Sequence, residues 1–380
     1  MSSEPLPSLR ESVVARHRRV RRSAGRQLRS RLTNAAVGVA AFIATCLALH
    51  ALLPSPEIEA VSDKLRYFDA HKAEFDTLFI GSSRIYFQVS PQVFDRVAAK
   101  DGAPTHSFNF GIGGMHLPES SYVLEQVLAT RPPQLRWVFV EYDELQTNWT
   151  FQGQTSRRAL YWHDWKRTSL LLRKLTGSGT GWIWLPNLRK IRDMALGLKS
   201  ERETLRLLSF HAGQFQKNFT NVARASDVLD YLARRKKSGP EPKYLGAAAD
   251  GYIPLFKPMP ASRQASYERT LAALRRRTQS RHLSPYAIEG YRQCVARIRE
   301  VGAVPVLLVT PTLTEFHVAY KPNTGPPAAV LAFNNPVAYP ELYRRDVRMD
   351  QGHMIKPAAE KFTALVAEKF AQLTRESALH

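Results

Sequence analysis

A chain of 380 residues is long enough to bury a sizeable core in one large domain or two small ones. Its content of 44% hydrophobic and 23% charged residues is that of a globular protein and excludes a disordered or fibrous one. Its two cysteines, Cys46 and Cys294, exclude a disulfide framework, and no Cys/His spacing typical of zinc sites occurs. We expect neither a metal nor a cofactor.

The formal net charge of +21 at pH 7 is unevenly distributed, because residues 1–31 carry nine arginines and only two acidic residues. Directly after them, residues 32–53 contain no Lys, Arg, Asp or Glu. As a helix this stretch would be roughly 33 Å long at ~1.5 Å per residue, which matches a hydrocarbon core of about 30 Å. The sequence therefore predicts a basic tail at 1–31 and a transmembrane helix at 32–53.

Two other interpretations of residues 32–53 are open. A buried helix of a soluble protein is normally shorter and amphipathic, whereas apolar residues here fall on all faces. A cleaved signal peptide has a shorter apolar run, about 7–15 residues. The uncleaved span is favoured, and the positive-inside rule then keeps residues 1–31 in the cytoplasm and puts residues 54–380 outside it.

A strongly basic protein suggests nucleic acid as a partner, but the predicted location of residues 54–380 outside the cytoplasm argues against it. The remaining positive charge would instead face anionic glycans or lipid head groups, although a basic surface can also serve solubility alone. We expect the membrane as a partner and no nucleic acid.

Past a linker and short helix at 54–72, short apolar runs alternate with amphipathic helices. Strands are predicted at 76–80, 107–110, 137–141, 304–309 and 329–333, and helices at 119–130, 286–301 and 357–375. This alternation indicates an α/β fold with a doubly wound parallel sheet. In such sheets the ligand lies beyond the carboxyl ends of the strands.

Residues from about 146 to 285 show no strand alternation and are too long for a plain connection. The sequence predicts a largely helical insertion here that caps the site, and its Trp and Arg residues would suit a carbohydrate or an anionic surface. A structural subdomain with a solvated basic face is the alternative.

Two short segments carry the residue types of serine catalysis. Ser83 follows the first predicted strand in Gly81-Ser82-Ser83, and Asp350-Gln-Gly-His353 precedes the last helix. A serine needs a base to remove its proton, a carboxylate to orient that base and amides to hold the oxyanion. Taken singly, the serine could be turn material and the Asp/His pair a helix cap.

Together with a glycine-rich segment, these residues resemble the SGNH (GDSL-like) hydrolase family, whose fold is flavodoxin-like. Its strand followed by Gly-Asp-Ser is similar to Ile80–Arg84, its Asn-x-Gly/Ser-x-x-Gly to Asn109–Gly114, and its Asp-x-x-His to Asp350–Ala358. The resemblance implies that Ser83 is the nucleophile, His353 the base and Asp350 its orienting acid. It also implies an oxyanion hole formed by the backbone amides of Ser83 and Gly114.

The chain departs from the family pattern at two positions. Ser82 stands where the family has the aspartate of its first block. The asparagine that follows the third strand in the family, a further oxyanion donor, would fall on about Leu145, with Asn148 near enough to replace it. The substrate-binding residues cannot be read from the sequence.

Single-span members of the family resemble proteins of alginate O-acetylation and teichoic-acid D-alanylation, which work beside a multispanning membrane acyltransferase. The resemblance therefore implies a protein of the bacterial inner membrane with a periplasmic or extracellular catalytic domain. Its expected activity is serine-dependent hydrolysis or transfer of an acyl group, such as O-acetyl, on a cell-envelope or exported polysaccharide. The alternatives are a catalytically degenerate glycan-binding or assembly component, and a lipid-directed esterase.

Four other residues are weaker candidates for the site. His116 and Glu119 follow the glycine-rich segment and could line a pocket, although a role at a helix start is favoured. His163 and Asp164 lie in the insertion without further ligands at metal spacing, so a zinc site is not expected.

Overall fold

The computed structural model describes residues 9–53, 56–148, 157–177, 199–222, 224–234, 244–276, 283–313 and 328–376. These residues fall into two compact units. The first contains the N-terminal residues up to 55 and residues 217–233, and the second contains the remainder of the chain.

The second unit is organised around one parallel sheet. Its five strands are β1 (Thr77–Gly81), β2 (Ser107–Gly111), β3 (Trp137–Glu141), β4 (Val304–Val309) and β5 (Ala329–Ala332). Their order across the sheet is β2-β1-β3-β4-β5, and every neighbouring pair is parallel. The predicted parallel α/β sheet is confirmed, with strand bounds that differ from the predicted ones by one residue at most. The strand order reverses between β1 and β3, where sheets of this kind bind their ligands.

Helices cover both faces of the sheet. In chain order the described helices are α1 (Leu9–Leu52), α2 (Glu59–His71), α3 (Ser83–Tyr86), α4 (Pro91–Lys100), α5 (Glu119–Ala129), α6 (Arg157–Tyr161), α7 (Trp165–Thr176), α8 (Lys199–Phe219), α9 (Arg224–Arg234), α10 (Ala261–Arg275), α11 (Pro285–Glu300) and α12 (Lys356–Arg375). Helices α2, α5 and α11 pack on one face, and α4, α10 and α12 on the other.

Each strand contributes to two hydrophobic cores, because successive side chains point to opposite faces of a sheet. In β1, Leu78 and Ile80 lie in one core and Phe79 in the other, all fully buried. Phe79 stacks on Phe139 of β3 with ring centroids 4.5 Å apart. Burial on both faces explains why the strands read in the sequence as continuous apolar runs.

The described residues between 146 and 285 form five helices and no strand, as the sequence predicts. After the helices α6 to α9, the chain returns to the sheet as a segment without regular secondary structure, Asp250–Met259, which we call the strap. Its Asp250 carbonyl accepts a hydrogen bond of 2.8 Å from the amide of Asn109, on the edge strand β2. The amide of Ile253 donates to the Tyr86 carbonyl at 3.3 Å. The strap thus covers part of an otherwise open sheet edge.

The first unit is dominated by α1, which is continuous over 44 residues. The sequence suggested a tail and a separate span, whereas one helix covers both, because Arg and Leu are good helix formers and no proline interrupts residues 9–52. Its part Gln27–Leu52 has a mean hydropathy of 2.1 and, among the described residues, is the one helix long and apolar enough to cross a membrane.

Candidate active site

Ser83 is the first residue of the short helix α3, directly after β1. Ser82 forms the N-cap, and its hydroxyl accepts a hydrogen bond from the amide of Arg84 at 3.2 Å. This turn leaves the half-buried Ser83 side chain at the carboxyl edge of the sheet, next to the point where the strand order reverses.

The structure brings together the three residues that the sequence assigned to catalysis. Ser83 Oγ lies 2.7 Å from His353 Nε2, although the two residues are 270 positions apart. His353 Nδ1 lies 2.9 Å from each carboxylate oxygen of Asp350. Because Nδ1 faces a carboxylate, the ring carries its proton there, and Nε2 is free to accept the serine proton. This is the arrangement that a serine nucleophile requires.

The loop that carries Asp350 and His353 is tightly fixed. Asp350 Oδ1 accepts hydrogen bonds from the amides of Gly352 and His353, at 2.7 and 2.8 Å. The fully buried guanidinium of Arg348 donates to the Gln351 carbonyl at 2.8 Å. Partial burial acts to raise the pKa of Asp350, but the contact with His353 and the two amides outweigh it and hold the pKa at about 2. Asp350 is therefore a carboxylate at neutral pH.

The strap also reaches this loop. The amide of Met259 donates to the Arg348 carbonyl at 2.7 Å, and the amide of Lys356 donates to the Leu255 carbonyl at 2.6 Å. The end of the insertion therefore helps to place the Asp350/His353 loop. The sequence predicted only that the insertion caps the site, and it did not predict these hydrogen bonds.

A buried charge cluster, which sequence reasoning missed, holds the turn before Ser83. Glu141, at the end of β3, accepts hydrogen bonds from the amide of Ser82 at 2.5 Å and from the hydroxyl of Thr310 at 3.2 Å. Arg84 is buried between Glu141, at 2.6 Å from its Nε, and Asp143. A charged residue at the end of an apolar strand was the available signal, since a buried charge must be paired.

The glycine-rich segment lies beside this turn. The Asn109 side chain donates to the carbonyls of Ile85 and Val89, at 2.8 and 2.7 Å, and accepts from the amide of Gly111 at 2.8 Å. A Cβ atom on Gly111 would stand 2.3 Å from the amide nitrogen of Tyr86, so glycine is required at this position. Asn109 thus joins β2 to the segment that follows Ser83.

The two backbone amides proposed for an oxyanion hole are available. Gly114 has φ of +69°, a conformation that favours glycine. Within the described part of the chain, the amides of Ser83 and Gly114 donate to no protein acceptor.

Lys64 of α2 ties the glycine-rich segment to the strap. Its fully buried ammonium donates three hydrogen bonds, to the carbonyls of Asn109 at 2.9 Å, Gly111 at 2.8 Å and Gly251 at 2.7 Å. The ammonium also lies 4.0 Å from the centre of the Tyr86 ring. Burial lowers the pKa of Lys64, while Asp250 acts in the opposite direction.

The asparagine expected after the third strand is not present at the site. Leu145 is buried in the core, and the Asn148 side chain is exposed and forms no hydrogen bond with Ser83 or Gly114 in the part of the chain that the structure describes. The role of Asn148 in an oxyanion hole stays a prediction.

His116 and Glu119 take different positions. His116 Nδ1 lies 3.9 Å from a carboxylate oxygen of Asp143, at the edge of the buried charge cluster. Glu119 is the first residue of α5, as favoured from the sequence, and it is buried in a bidentate ion pair with Arg158 of α6. Arg158 also donates to the Gly113 carbonyl at 2.6 Å, so the insertion supports the glycine-rich segment.

His163 pairs with another histidine. Its Nε2 lies 2.8 Å from Nδ1 of His211, and both side chains are fully buried. Asp164 caps α7 by accepting from the amide of Arg167. No group of three or more potential metal ligands occurs among the residues described.

We expect this histidine pair to make the protein less stable in mild acid. Burial lowers the pKa of His163 and lowers that of His211 to about 4. The unfolded chain binds a proton on His211 near pH 6.5, whereas the folded chain binds it only near pH 4, so the stability is fully present above pH 6.5 and is lost as the pH falls. The expected loss is about 2–3 kcal/mol between pH 6.5 and 4.

Thermal unfolding of the full chain in detergent between pH 7 and 4 measures this dependence. His211→Gln should weaken it, because only the buried His163 then remains, whereas His106→Gln, at an exposed position, should leave it unchanged. An identical pH dependence in the His211 variant would contradict the assignment.

The fold and this array define a parallel α/β protein with a serine, a histidine and an aspartate in hydrogen-bonded contact, and with one N-terminal helix able to span a membrane. Neither a protein-family model nor a curated protein sequence matches the chain.

Proposed function

We propose that this chain is a membrane-anchored serine esterase or O-acyltransferase of the SGNH type. The observation that carries the proposal is the hydrogen-bonded line from Ser83 Oγ through His353 to the Asp350 carboxylate, at 2.7 and 2.9 Å. It is further supported by the two free amides of Ser83 and Gly114 and by the strand order of the sheet. The acyl donor is an ester, such as an O-acetyl ester, and the acceptor is water or a polysaccharide hydroxyl.

The proposed reaction has two balanced halves. Ser83 Oγ attacks the ester carbonyl while His353 Nε2 takes its proton, and Asp350 stabilises the imidazolium that forms. The tetrahedral intermediate collapses as His353 returns the proton to the leaving alcohol, which leaves an acyl group on Ser83. Water or a sugar hydroxyl then attacks this ester while His353 Nε2 takes its proton. The bond between the acyl carbon and Ser83 Oγ breaks, and His353 returns the proton to Ser83, which releases the acid or the acylated sugar and restores the free serine.

The buried charge cluster fits this chemistry because it keeps the Ser83 turn rigid. A nucleophile must be held within a fraction of an ångström of its reacting position, and rigid surroundings supply that precision. Glu141 and Arg84 are therefore positioning residues in this proposal, and they do not touch the substrate.

A second candidate is a polysaccharide-modification component that keeps the fold without catalysis. The observation in its favour is the buried Leu145 at the place of a third oxyanion donor. The loss of one such donor typically reduces the rate ~10²–10³-fold without abolishing it. We therefore retain catalysis as the main proposal.

A fluorophosphonate probe and a small acetyl ester distinguish the two candidates. The full chain in detergent should be labelled at Ser83 and should hydrolyse the ester, and Ser83→Ala should lose the labelling and reduce turnover by about 10⁴-fold or more. The matched control is Ser169→Ala on α7, which should retain both. Absence of labelling and turnover in the unaltered chain would support the non-catalytic candidate, whereas their persistence in Ser83→Ala would show that Ser83 is not the nucleophile.

For its setting, we propose a single-pass protein of a bacterial inner membrane with the catalytic domain in the periplasm or outside the cell. The arginine-rich residues before Gln27 support a cytoplasmic N-terminus by the positive-inside rule. A multispanning membrane acyltransferase as partner and a cell-envelope or exported polysaccharide as substrate are parts of the same proposal, and both rest on the resemblance of the motif blocks.

A further inference from the structure

A short segment of the insertion binds to the end of the apolar helix. In the unit that contains α1, the side-chain amide of Asn221 donates to the Cys46 carbonyl at 2.9 Å. The guanidinium of Arg224 lies 3.2 Å from the Leu53 carbonyl and 3.4 Å from that of His50. The last carbonyls of a helix lack partners within the helix, and a cation there also interacts favourably with the helix dipole.

These contacts fix the depth of the segment along α1. Cys46 precedes Leu53 by seven positions, which is roughly 10 Å along a helix axis at ~1.5 Å per residue. If residues 32–53 cross a hydrocarbon core of about 30 Å, Asn221 lies well below the end of that span. The residues that follow Asn221 then begin in the outer part of the membrane and not above it.

The same segment exposes large apolar side chains. Val222 is 73% exposed, Leu229 68% and Leu232 56%, which is comparable to 57% for Leu47 within the span. Leu229 and Leu232 are three residues apart, so they share a face of α9. Exposure of three large apolar side chains to water within a short segment costs free energy. Burial of the same side chains among lipid acyl chains removes this cost.

We propose that α9 is an interfacial helix that lies in the outer leaflet beside the exit of the span, with Val222, Leu229 and Leu232 inserted among the lipid acyl chains. The proposal rests on α1 crossing the membrane, as proposed above. A lipid bilayer is the occupant of this face because Asn221 and Arg224 hold the segment against the part of α1 that would lie in the outer leaflet, where the neighbouring apolar side chains of α1 are equally exposed.

Nitroxide labels on single cysteines in the full chain, reconstituted in phosphatidylcholine/phosphatidylglycerol vesicles, test this placement. The buried native cysteines are replaced in the background chain by Cys46→Ala and Cys294→Ala. Labels are attached through Leu229→Cys and Leu232→Cys, with Leu47→Cys as the control for the span and Val301→Cys as the control for a water-exposed site. Collision rates are measured with oxygen, which partitions into lipid, and with a water-soluble nickel chelate.

The proposal expects the labels at 229, 232 and 47 to collide more often with oxygen than with the chelate, and the label at 301 to show the reverse. A water-exposed label at 229 with a lipid-exposed label at 47 would overturn the proposal and leave the span standing. Water exposure at both positions would remove the membrane anchor and this proposal together. A label at 229 shielded from both reagents would mean that protein covers α9, which also overturns it.

Discussion

Asp350→Asn should reduce kcat for ester hydrolysis by about 10⁴-fold with little effect on folding. The asparagine oxygen can keep the hydrogen bonds that Asp350 Oδ1 accepts from the amides of Gly352 and His353. Its amide group, however, would face His353 Nδ1 and make that nitrogen an acceptor. The ring proton would then sit on Nε2, where it blocks the transfer from Ser83.

Initial rates with an acetyl ester, together with circular dichroism melting of the same samples, measure this prediction. Asp346→Asn is the control, since its carboxylate lies in the same region and pairs with Arg344 at the exposed surface. If Asp350→Asn kept more than a tenth of the original rate, the assignment of Asp350 as the orienting acid would be wrong.

Glu141→Leu should destabilise the fold by about 3–5 kcal/mol, the usual result of removing one partner of a buried ion pair. The Arg84 side chain is only 9% exposed, so water cannot replace the lost carboxylate. Asp143 would be the one acidic partner left for the buried guanidinium. The amide of Ser82 would also lose its acceptor. Because that amide precedes the nucleophile, a fall in kcat at an unchanged KM should accompany the loss of stability.

Denaturant unfolding of the full chain in detergent gives the free energy, and ester hydrolysis gives kcat and KM. Glu300→Leu is the matched control, because its ion pair with Arg297 is on the surface and such pairs contribute under about 1 kcal/mol. Glu141→Gln, which retains an acceptor for the Ser82 amide, should recover part of both losses. Equal stability of Glu141→Leu and Glu300→Leu would contradict the structural role of the cluster.

The sequence was sufficient to predict the strands, because burial on both sides of a parallel sheet leaves continuous apolar runs such as residues 77–81. It also placed Ser83 after the first strand and Asp350 and His353 in a loop before the last helix. Parallel strands bring such positions to one edge of the sheet, so their meeting could be anticipated from order alone.

The supporting contacts could not be anticipated in this way. Lys64 belongs to the short helix predicted within residues 54–72, and nothing in that segment indicates that its ammonium is fully buried among three carbonyls. Glu141 was treated as the last residue of a strand, and nothing in its neighbours indicates that Arg84, 57 positions earlier, is its partner. Such pairings depend on which distant segments meet in the folded chain. Hydrophobic periodicity predicts helices and strands but does not predict these contacts.

The strap limits how the region between β3 and β4 can be rebuilt. It supplies hydrogen-bond partners to Asn109 on the sheet edge, to Tyr86 behind the nucleophile and to Arg348 in the Asp350/His353 loop. An exchange of the whole insertion for that of another protein would therefore remove support from both halves of the active site. Engineering of substrate preference should keep Arg158 of α6 and residues 244–259 in place and restrict replacements to the helices between them.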